Sequence, residues 1–355
     1  EHMLHCDIKP GDNVFYYTTC GWMMWQWLLS TLASGATLVL YEGSPAYKKV
    51  TDMLGFLNQE NISFFGTSAK YIDSLRKLNI KVREQFPFEK LRTIGSTGSP
   101  LVAESFEYIY NSFKKDVCLA SLSGGTDIIS CFVLGCPIKP VHKGEIQCIG
   151  LGMDIHVYLE NGTDAPINTA GELVCKTPFP SMPVYFWNDN IGAKYKKSYF
   201  EKFPHLWAHG DWISLTQNGG AIIFGRSDST LNPGGVRIGT AEIYRQVECF
   251  EDVLESVVTE KYHNNDAAIA LFIKMKEGIL LTEQLKSQIK DRLKHNCSPR
   301  HVPKYIVQVP EIPKTKSGKI VELAVKNVIN GKDVLNKESM LNPEALEFFK
   351  KCSFV

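Results

Sequence analysis

"ISFFGTSAKYIDSLRKLNIKVREQFPFEKLRTIGST", residues 62–97, decides the fold. Its ends, ISFFGTS and LRTIGST, are short apolar runs of strand character, and KYIDSLRKLN between them spaces its apolar residues along one helix face. Two strands joined through a helix pair in parallel, because a parallel connection needs a long crossover. The alternation extends toward the N-terminus, where NVFYYTT and ATLVLY read as strands and AYKKVTDMLGFLNQE as a helix. An α/β fold with a mostly parallel sheet follows. Over residues 143–225 the style changes: GEIQCIG, MDIHVYLE, GELVCKT and GAIIFG are short strands parted by Gly, Pro and Asn turns, a smaller β-rich subdomain. After the polar, glycine-rich stretch 225–235 comes an α+β tail of two strands, a helix and a further strand, opened by the helix AEIYRQVECF. That stretch marks the expected boundary, giving domains 1–227 and 228–355.

The bulk numbers narrow the chemistry. A chain of 355 residues has room for two or three domains. With 39 basic and 38 acidic residues it lacks the charge to bind nucleic acid or a membrane surface in bulk, which leaves small-molecule work. Ten cysteines without a CxxC pair indicate neither a zinc site nor a disulfide framework, and point to a reduced, cytosolic compartment. His205 and His209 stand at a metal-binding spacing, but Gly210 and Asp211 follow at once, so a loop without metal is expected. The charge-free run 21–41 reads as a buried helix, a turn at Ser34-Gly35 and a strand, not as a membrane span. The opening EHMLHCDIKPGD has no signal-peptide layout and resembles a helix tail, so the chain is expected to open inside a domain.

Ligands of parallel sheets bind beyond the carboxyl ends of the strands. Two glycine-containing loops are expected there, IGSTGSP (94–100) and LASLSGGTDI (119–128). The second offers backbone space at Gly124 and Gly125, a hydroxyl at Thr126 and a carboxylate at Asp127, a pair that suits a phosphate and its Mg2+. Asp211, on a Gly turn in HGDW, suits the two hydroxyls of a ribose. Arg226 suits a sugar or phosphate, and Asp228, between two serines, a hinge. Gly234 and Gly235 form a shelf free of side chains, and Thr240 is the expected N-cap of the next helix, with Glu242 in its first turn. In PKTKSGK (313–319), Lys314 and Lys316 read as solvated loop residues. Lys319, after Ser317-Gly318, sits where backbone can approach an anion closely and an ammonium can act as a point charge.

SGGTD, HGDW, GRSDSTLNPGGVRIGTAEIY and PKTKSGK, in this order, resemble the adenylate-forming superfamily of acyl-CoA synthetases, luciferases and peptide-synthetase adenylation domains. TTCGWMMWQW, STGSPL, YFWNDNIGAKYKKSYFEKFPHLWAHGDW and LNPEALEFF resemble its acetoacetate-activating branch, over the whole chain. The resemblance implies a large AMP-binding domain with a mobile C-terminal lid, substrates ATP, CoA and acetoacetate, and Mg2+. It implies that Lys319 is the adenylation lysine, that Thr126 touches the α-phosphate, and that Asp127 holds Mg2+. The family more often has glutamate there, so the shorter aspartate is expected to reach the metal through water. Gly98, Ser99, Pro100 and Gly125 would line the nucleotide site, Asp211 and Arg226 the ribose, and Arg237 the phosphates. Gly234 and Gly235 would line the pantetheine passage, with Lys294 and Arg300 near the CoA phosphates and Asp228 as hinge. Trp22 and Gly124 would bound the acyl pocket. Acetate-using relatives carry tryptophan at the place of Gly124, so its absence is expected to open the pocket to acetoacetate, and Gly124→Trp to favour acetate.

One family element has no counterpart here, the phosphate loop SGTTGxPK. With it goes the first half of the large domain, so the sequence reads as a piece of a longer enzyme or a truncated product, with little ligase activity expected of it alone. A ligase for another short acid, and a non-catalytic nucleotide- or CoA-binding fragment, stand as alternatives. Oligomeric state is not readable from these residues.

Overall fold

The computed structural model describes the chain except residues 234–236, 264, 265, 317, 335, 336, 353 and 355, and describes only the backbone at 263 and 266. The chain divides into two compact units, Glu1–Ile223 and Phe224–Val355.

In the first unit β1 (Asn13–Tyr16), β2 (Thr37–Leu38), β3 (Phe64–Ser68), β4 (Thr93–Thr97) and β5 (Cys118–Ser121) form an all-parallel sheet in the order β2-β1-β3-β4-β5. Phe64 and Phe65 are neighbours in β3 and point to opposite faces, as strand periodicity requires. Phe65 packs with Met53, Leu54 and Leu57 of α2 (Asp52–Gln59) and with Ile72 and Leu75 of α3 (Ala69–Lys77). Phe64 packs on the other face with Met24, Trp27 and Leu28 of α1 (Met24–Ser30). Both faces being covered explains why these strands are buried along nearly their whole length, the hydroxyl residues Thr67, Thr93 and Ser96 included. Removing a side chain such as Phe65 from water contributes roughly 1.5–3 kcal/mol. At the exit of β3, Ser68 caps α3, its Oγ accepting the Tyr71 N–H at 3.2 Å, so the strand passes directly into its crossover helix.

The charge-free run 21–41 consists of α1, a 3-10 turn at Thr31–Ser34, Gly35 in the left-handed region and β2. No helix among the described residues is long and apolar enough to cross a membrane. Short helices α4 (Val82–Gln85) and α5 (Ala103–Tyr108) flank β4 in the chain.

Two smaller sheets follow in the chain, the last strand of the second ending just past the unit boundary. The first has the order β6-β7-β8, from β6 (Ser123–Gly125), β7 (Ser130–Leu134) and β8 (Cys148–Ile149). The second has β9 (Ile155–Tyr158), β10 (Gly171–Cys175), β11 (Trp207–Leu215) and β12 (Ala221–Arg226) in the order β12-β11-β10-β9, with α6 (Ala193–Tyr199) between β10 and β11. Two expectations are corrected here. Residues 119–128 are not a loop: they contain the end of β5 and all of β6, because Ser123–Gly125 pair with β7. His209, Gly210 and Asp211 are neither loop nor turn. They lie inside the continuous strand β11, at an irregularity of its pairing with β10.

The second unit is a three-stranded sheet, β13 (Val253–His263), β14 (Asp266–Met275) and β15 (Tyr305–Gln308), antiparallel between the first two and parallel between the last two. Ile269, Leu271 and Ile273 of β14 face a core with α7 (Thr240–Val247) and α8 (Glu283–Asn296). Ala270 and Phe272 face the opposite core, with α9 (Glu322–Ile329) and α10 (Leu346–Lys350). Thr240 is not the N-cap of α7 but its first helical residue. Gly239 occupies the cap, and the Glu242 carboxylate accepts the Gly239 N–H at 2.8 Å, one half of a capping box without a capping hydroxyl.

Candidate active site

The carboxyl ends of β4 and β5 are laced together. Leu122 N–H donates to Ser96 O at 3.0 Å, and Thr97 Oγ1 donates to Leu122 O at 2.8 Å. β4 runs into Gly98, which turns the chain at φ +92°, and the Trp22 ring lies 3.7 Å from where a Cβ at 98 would stand. Ser99 and Pro100 follow on the exposed and half-exposed turn. Residues 98–100, Trp22 and the segment that begins at Ser123 therefore lie at one end of the sheet, where parallel sheets bind ligands.

Both glycines of SGGTD are fixed by close approach. A Cβ at Gly124 would stand 1.9 Å from Ser130 O and 2.7 Å from Cys131 Cα, inside the backbone of β7. A Cβ at Gly125 would stand 2.5 Å from Cε1 of His209. Gly124 thus has a reason to be glycine besides pocket size, and Gly124→Trp perturbs strand pairing before it reaches any acyl group.

The His209 ring is buried and held on every side. Trp207 Nε1–H donates to its Nδ1 at 3.3 Å, so Nε2 carries the proton and faces Gly124 O at 3.3 Å. Phe132 meets it edge-on, ring centroids 4.7 Å apart. His205 is exposed ahead of the strand, whereas both ring nitrogens of His209 are engaged by protein groups. Among the described residues no group of three or more His, Cys, Asp or Glu is arranged to hold a metal ion.

In β11 the pairing steps from Glu172↔Trp212 to Val174↔Ala208, so His209, Gly210 and Asp211 share the place opposite Leu173. Gly210 takes φ +82° there, and its N–H donates to the Glu172 carboxylate at 2.7 Å. Glu172 is buried and paired with Lys202 at 2.6 Å, which fixes the irregular backbone from behind. Bulges of this kind re-aim side chains beside active sites. Here the result is that Asp211 faces the β6 segment, its Oδ2 3.5 Å from Ser123 Oγ and 3.8 Å from His209 Nε2. Asp127, on the exposed turn after Thr126, accepts a hydrogen bond from the Tyr199 phenol at the end of α6. The Tyr199 ring stacks on Trp207, centroids 3.6 Å apart and planes 13° apart. Asp127 through Tyr199 and Asp211 through His209 thus border one aromatic group, with Thr126 next to Asp127 in the chain. Thr126 and Asp127 place a hydroxyl and a carboxylate side by side on this exposed turn.

The second unit carries the remaining candidates. Arg226 and Asp228 are exposed and face each other at 3.9 Å, and Ser229 Oγ donates to Asp228 at 3.4 Å. Arg237 donates to Thr230 Oγ1 at 3.4 Å. Lys294 and Arg300 are exposed at and just beyond the end of α8. Gly234 and Gly235 lie outside the described residues, as does Ser317. Lys319 is exposed at the foot of a tight turn: Thr315 N–H donates to Lys319 O at 2.8 Å, Lys319 N–H donates to Thr315 Oγ1 at 3.1 Å, and Gly318 has φ +83°. Lys314 departs from expectation. It is not solvated but largely covered, with its ammonium 2.5 Å from Glu255. Three residues past Lys319, the Glu322 carboxylate accepts from Tyr244 Oη at 2.6 Å, and burial pushes its pKa above the usual carboxylate range despite that bond.

Sequence reasoning missed Tyr199, Trp207 and the supporting role of His209, as well as Glu172 and Glu322. The aromatic density of KYKKSYFEKFPHLWAHGDW was the available signal for the stack; nothing local announced the two buried carboxylates.

The profile of AMP-binding enzymes matches residues 2–186, and that of the AMP-binding enzyme C-terminal domain matches residues 247–319. The chain belongs to the AMP-binding enzyme family. Among its relatives, the acetoacetyl-coenzyme A synthetase of Rhizobium meliloti is 52% identical over 350 residues, 98% of this chain and 54% of the relative. The acetoacetyl-CoA synthetase of Mus musculus is 45% identical, over 99% of this chain and 52% of its own length. The solved acetoacetyl-CoA synthetase from Streptomyces lividans superposes with a TM-score of 0.91 at 39% identity, covering 98% of this chain and 54% of that one. The chain spans about half the length of these relatives.

Proposed function

We propose that these residues serve an acid–thiol ligase that forms acetoacetyl-CoA from acetoacetate, ATP and CoA through an acyl-adenylate. The observation that carries this reading is the 52% identity to the Rhizobium meliloti acetoacetyl-coenzyme A synthetase across nearly the whole chain. The placement of Asp127 and Asp211 beside one aromatic group supports it.

In the first step a carboxylate oxygen of acetoacetate attacks the α-phosphorus of ATP, and the bond to the bridging oxygen breaks to release pyrophosphate. In the second, the CoA thiol gives up its proton and attacks the acyl carbon, and AMP leaves. Asp211 takes the ribose hydroxyls with Arg226, and residues 98–100 and Gly125 border the base. The Thr126 hydroxyl and the Lys319 ammonium meet the α-phosphate, where charge gathers in the transition state. Arg237 meets the phosphates, Gly234 and Gly235 border the pantetheine path with Lys294 and Arg300 toward the CoA phosphates, Asp228 is the hinge residue, and Trp22 walls the acyl pocket. Mg2+ neutralises phosphate charge when bound. A lone carboxylate with a neighbouring hydroxyl fits this ion, which is held by one or two carboxylates plus phosphate oxygens and water. The cytosol is the proposed compartment, in keeping with ten free thiols.

Pyrophosphate release across a panel of short acids, measured with the full-length protein, tests the substrate. Acetoacetate is expected to exceed acetate and butyrate by at least ten-fold; an equal response to all three overturns the assignment. Calorimetry with AMP tests the nucleotide grip: Asp211→Ala is expected to weaken AMP binding about ten-fold, the scale of losing a charged hydrogen-bond pair.

A further inference from the structure

Asp127 stands on an exposed turn, and a carboxylate there has free rotation unless something holds it. Tyr199 does. Its phenol donates to Oδ2 of Asp127. The ring cannot swing away cheaply, because it stacks on Trp207, which is itself buried and bonded to His209. α6 is anchored in turn at its start: Tyr195 N–H donates to Asp189 at 2.8 Å and Tyr195 Oη to Pro183 O at 2.6 Å. A rigid aromatic post thus ends in a hydroxyl that engages one oxygen of the carboxylate and leaves the other to point elsewhere.

We propose that Tyr199 is a positioning residue for the divalent cation of the bound nucleotide: it holds the Asp127 carboxylate by Oδ2 so that the second oxygen meets the metal or its water. The inference rests on the reading of Asp127 as the metal contact. Hydrogen bonds behind a ligating carboxylate fix its direction, and their loss typically weakens metal affinity about 10–100-fold. The arrangement also gives the short aspartate side chain a fixed direction without lengthening it.

The test measures the affinity of the 355-residue chain for ATP by calorimetry with Mg2+ and with EDTA; the ratio of the two is the contribution of the metal. Tyr199→Phe keeps the ring and its stack, which near-UV circular dichroism checks. It is expected to lose at least five-fold of that ratio while leaving the metal-free affinity within two-fold of the parent. A purely structural role would lower both affinities together, and that outcome overturns the proposal. Asp127→Asn separates the two layers of the inference. Loss of the ratio in Asp127→Asn with full retention in Tyr199→Phe sinks the role of Tyr199 alone. Retention in Asp127→Asn, or a parent chain whose ATP affinity ignores Mg2+, removes the metal contact and the positioning role with it.

Discussion

Gly125→Ala and His209→Ala together probe the contact on which the candidate site is built. A Cβ at 125 would lie 2.5 Å from Cε1 and 3.2 Å from Nε2 of His209, so the ring must retreat by close to an ångström. It has little freedom to do so, held between the Trp207 indole, the Phe132 edge and Gly124 O. Overpacking of this kind costs about 1–3 kcal/mol. His209→Ala loses two hydrogen bonds and leaves a cavity, a cost on the order of 2–4 kcal/mol. In the double variant the methyl enters the space the imidazole has vacated, so most of the Gly125→Ala penalty disappears. The expected coupling is about 1–2 kcal/mol, with the double variant more stable than the sum of the singles. Distant sites add within roughly 0.3–0.5 kcal/mol, so the effect is resolvable. Urea unfolding followed by tryptophan fluorescence supplies the free energies, and AMP binding by calorimetry reports whether the β6 segment recovers its shape. Additive penalties would refute the claim that the histidine is what makes residue 125 a glycine.

Gly124→Ala has no such partner to remove, because its obstacle is the backbone of β7; thermal unfolding is expected to show a loss of about 1–3 kcal/mol that no second substitution nearby relieves. In the full-length protein Lys319→Ala is expected to lower pyrophosphate release by at least about 100-fold, as loss of a charge-stabilising group does, while AMP affinity changes less than three-fold; equal losses in both would mean that the lysine serves binding and not the transition state. Glu322→Gln tests a pH dependence. Burial raises the Glu322 pKa above its ordinary 4.5, so the folded state binds its proton more tightly than the unfolded one. Stability from this group is therefore complete at pH below about 4.5 and declines as pH rises through the raised value. The glutamine variant, uncharged throughout, is expected to gain stability over the parent at pH 8 and to lose that advantage at pH 4 in denaturant titrations; the opposite trend would show that the carboxylate is stabilised, not strained, by its surroundings.

The βαβ alternation was legible because Phe64, Phe65 and Ile94 mark short buried strands, while α3 advertises its single buried face through Ile72 and Leu75. Sheet order was not legible, since β5 and β6 are short and the glycines of β6 read as loop until β7 is seen to pair with them. Thr126, Asp127 and Asp211 were legible as residue types beside glycines. Their supports were not: Tyr199 is 72 residues from Asp127 in the chain, and Glu172 is 38 from Gly210. Pairings at such separations are set by the sheet, and no local pattern records them. Lys314 was misread for the same reason, its partner Glu255 lying on β13.

Four departures from regular structure fall within this one region: the register step of β11, the left-handed turn at Gly98, and the two glycines that admit no Cβ. Each weakens the fold locally, and three of them are braced by a side chain from elsewhere in the chain. Glu172 stands behind Gly210, Trp22 against Gly98 and His209 against Gly125. A fold under selection for stability alone would have regularised this edge, because a straight β11 would pair Leu173 with one residue in place of three. Irregularity held in place by such braces is the pattern of a region kept for binding. The braces are also its weak points, so Glu172→Gln, which leaves Lys202 facing an amide, should disturb nucleotide affinity through Asp211 without touching the nucleotide. Calorimetry with AMP reads that loss, and an affinity equal to the parent's would show that the bulge holds Asp211 in place without its brace.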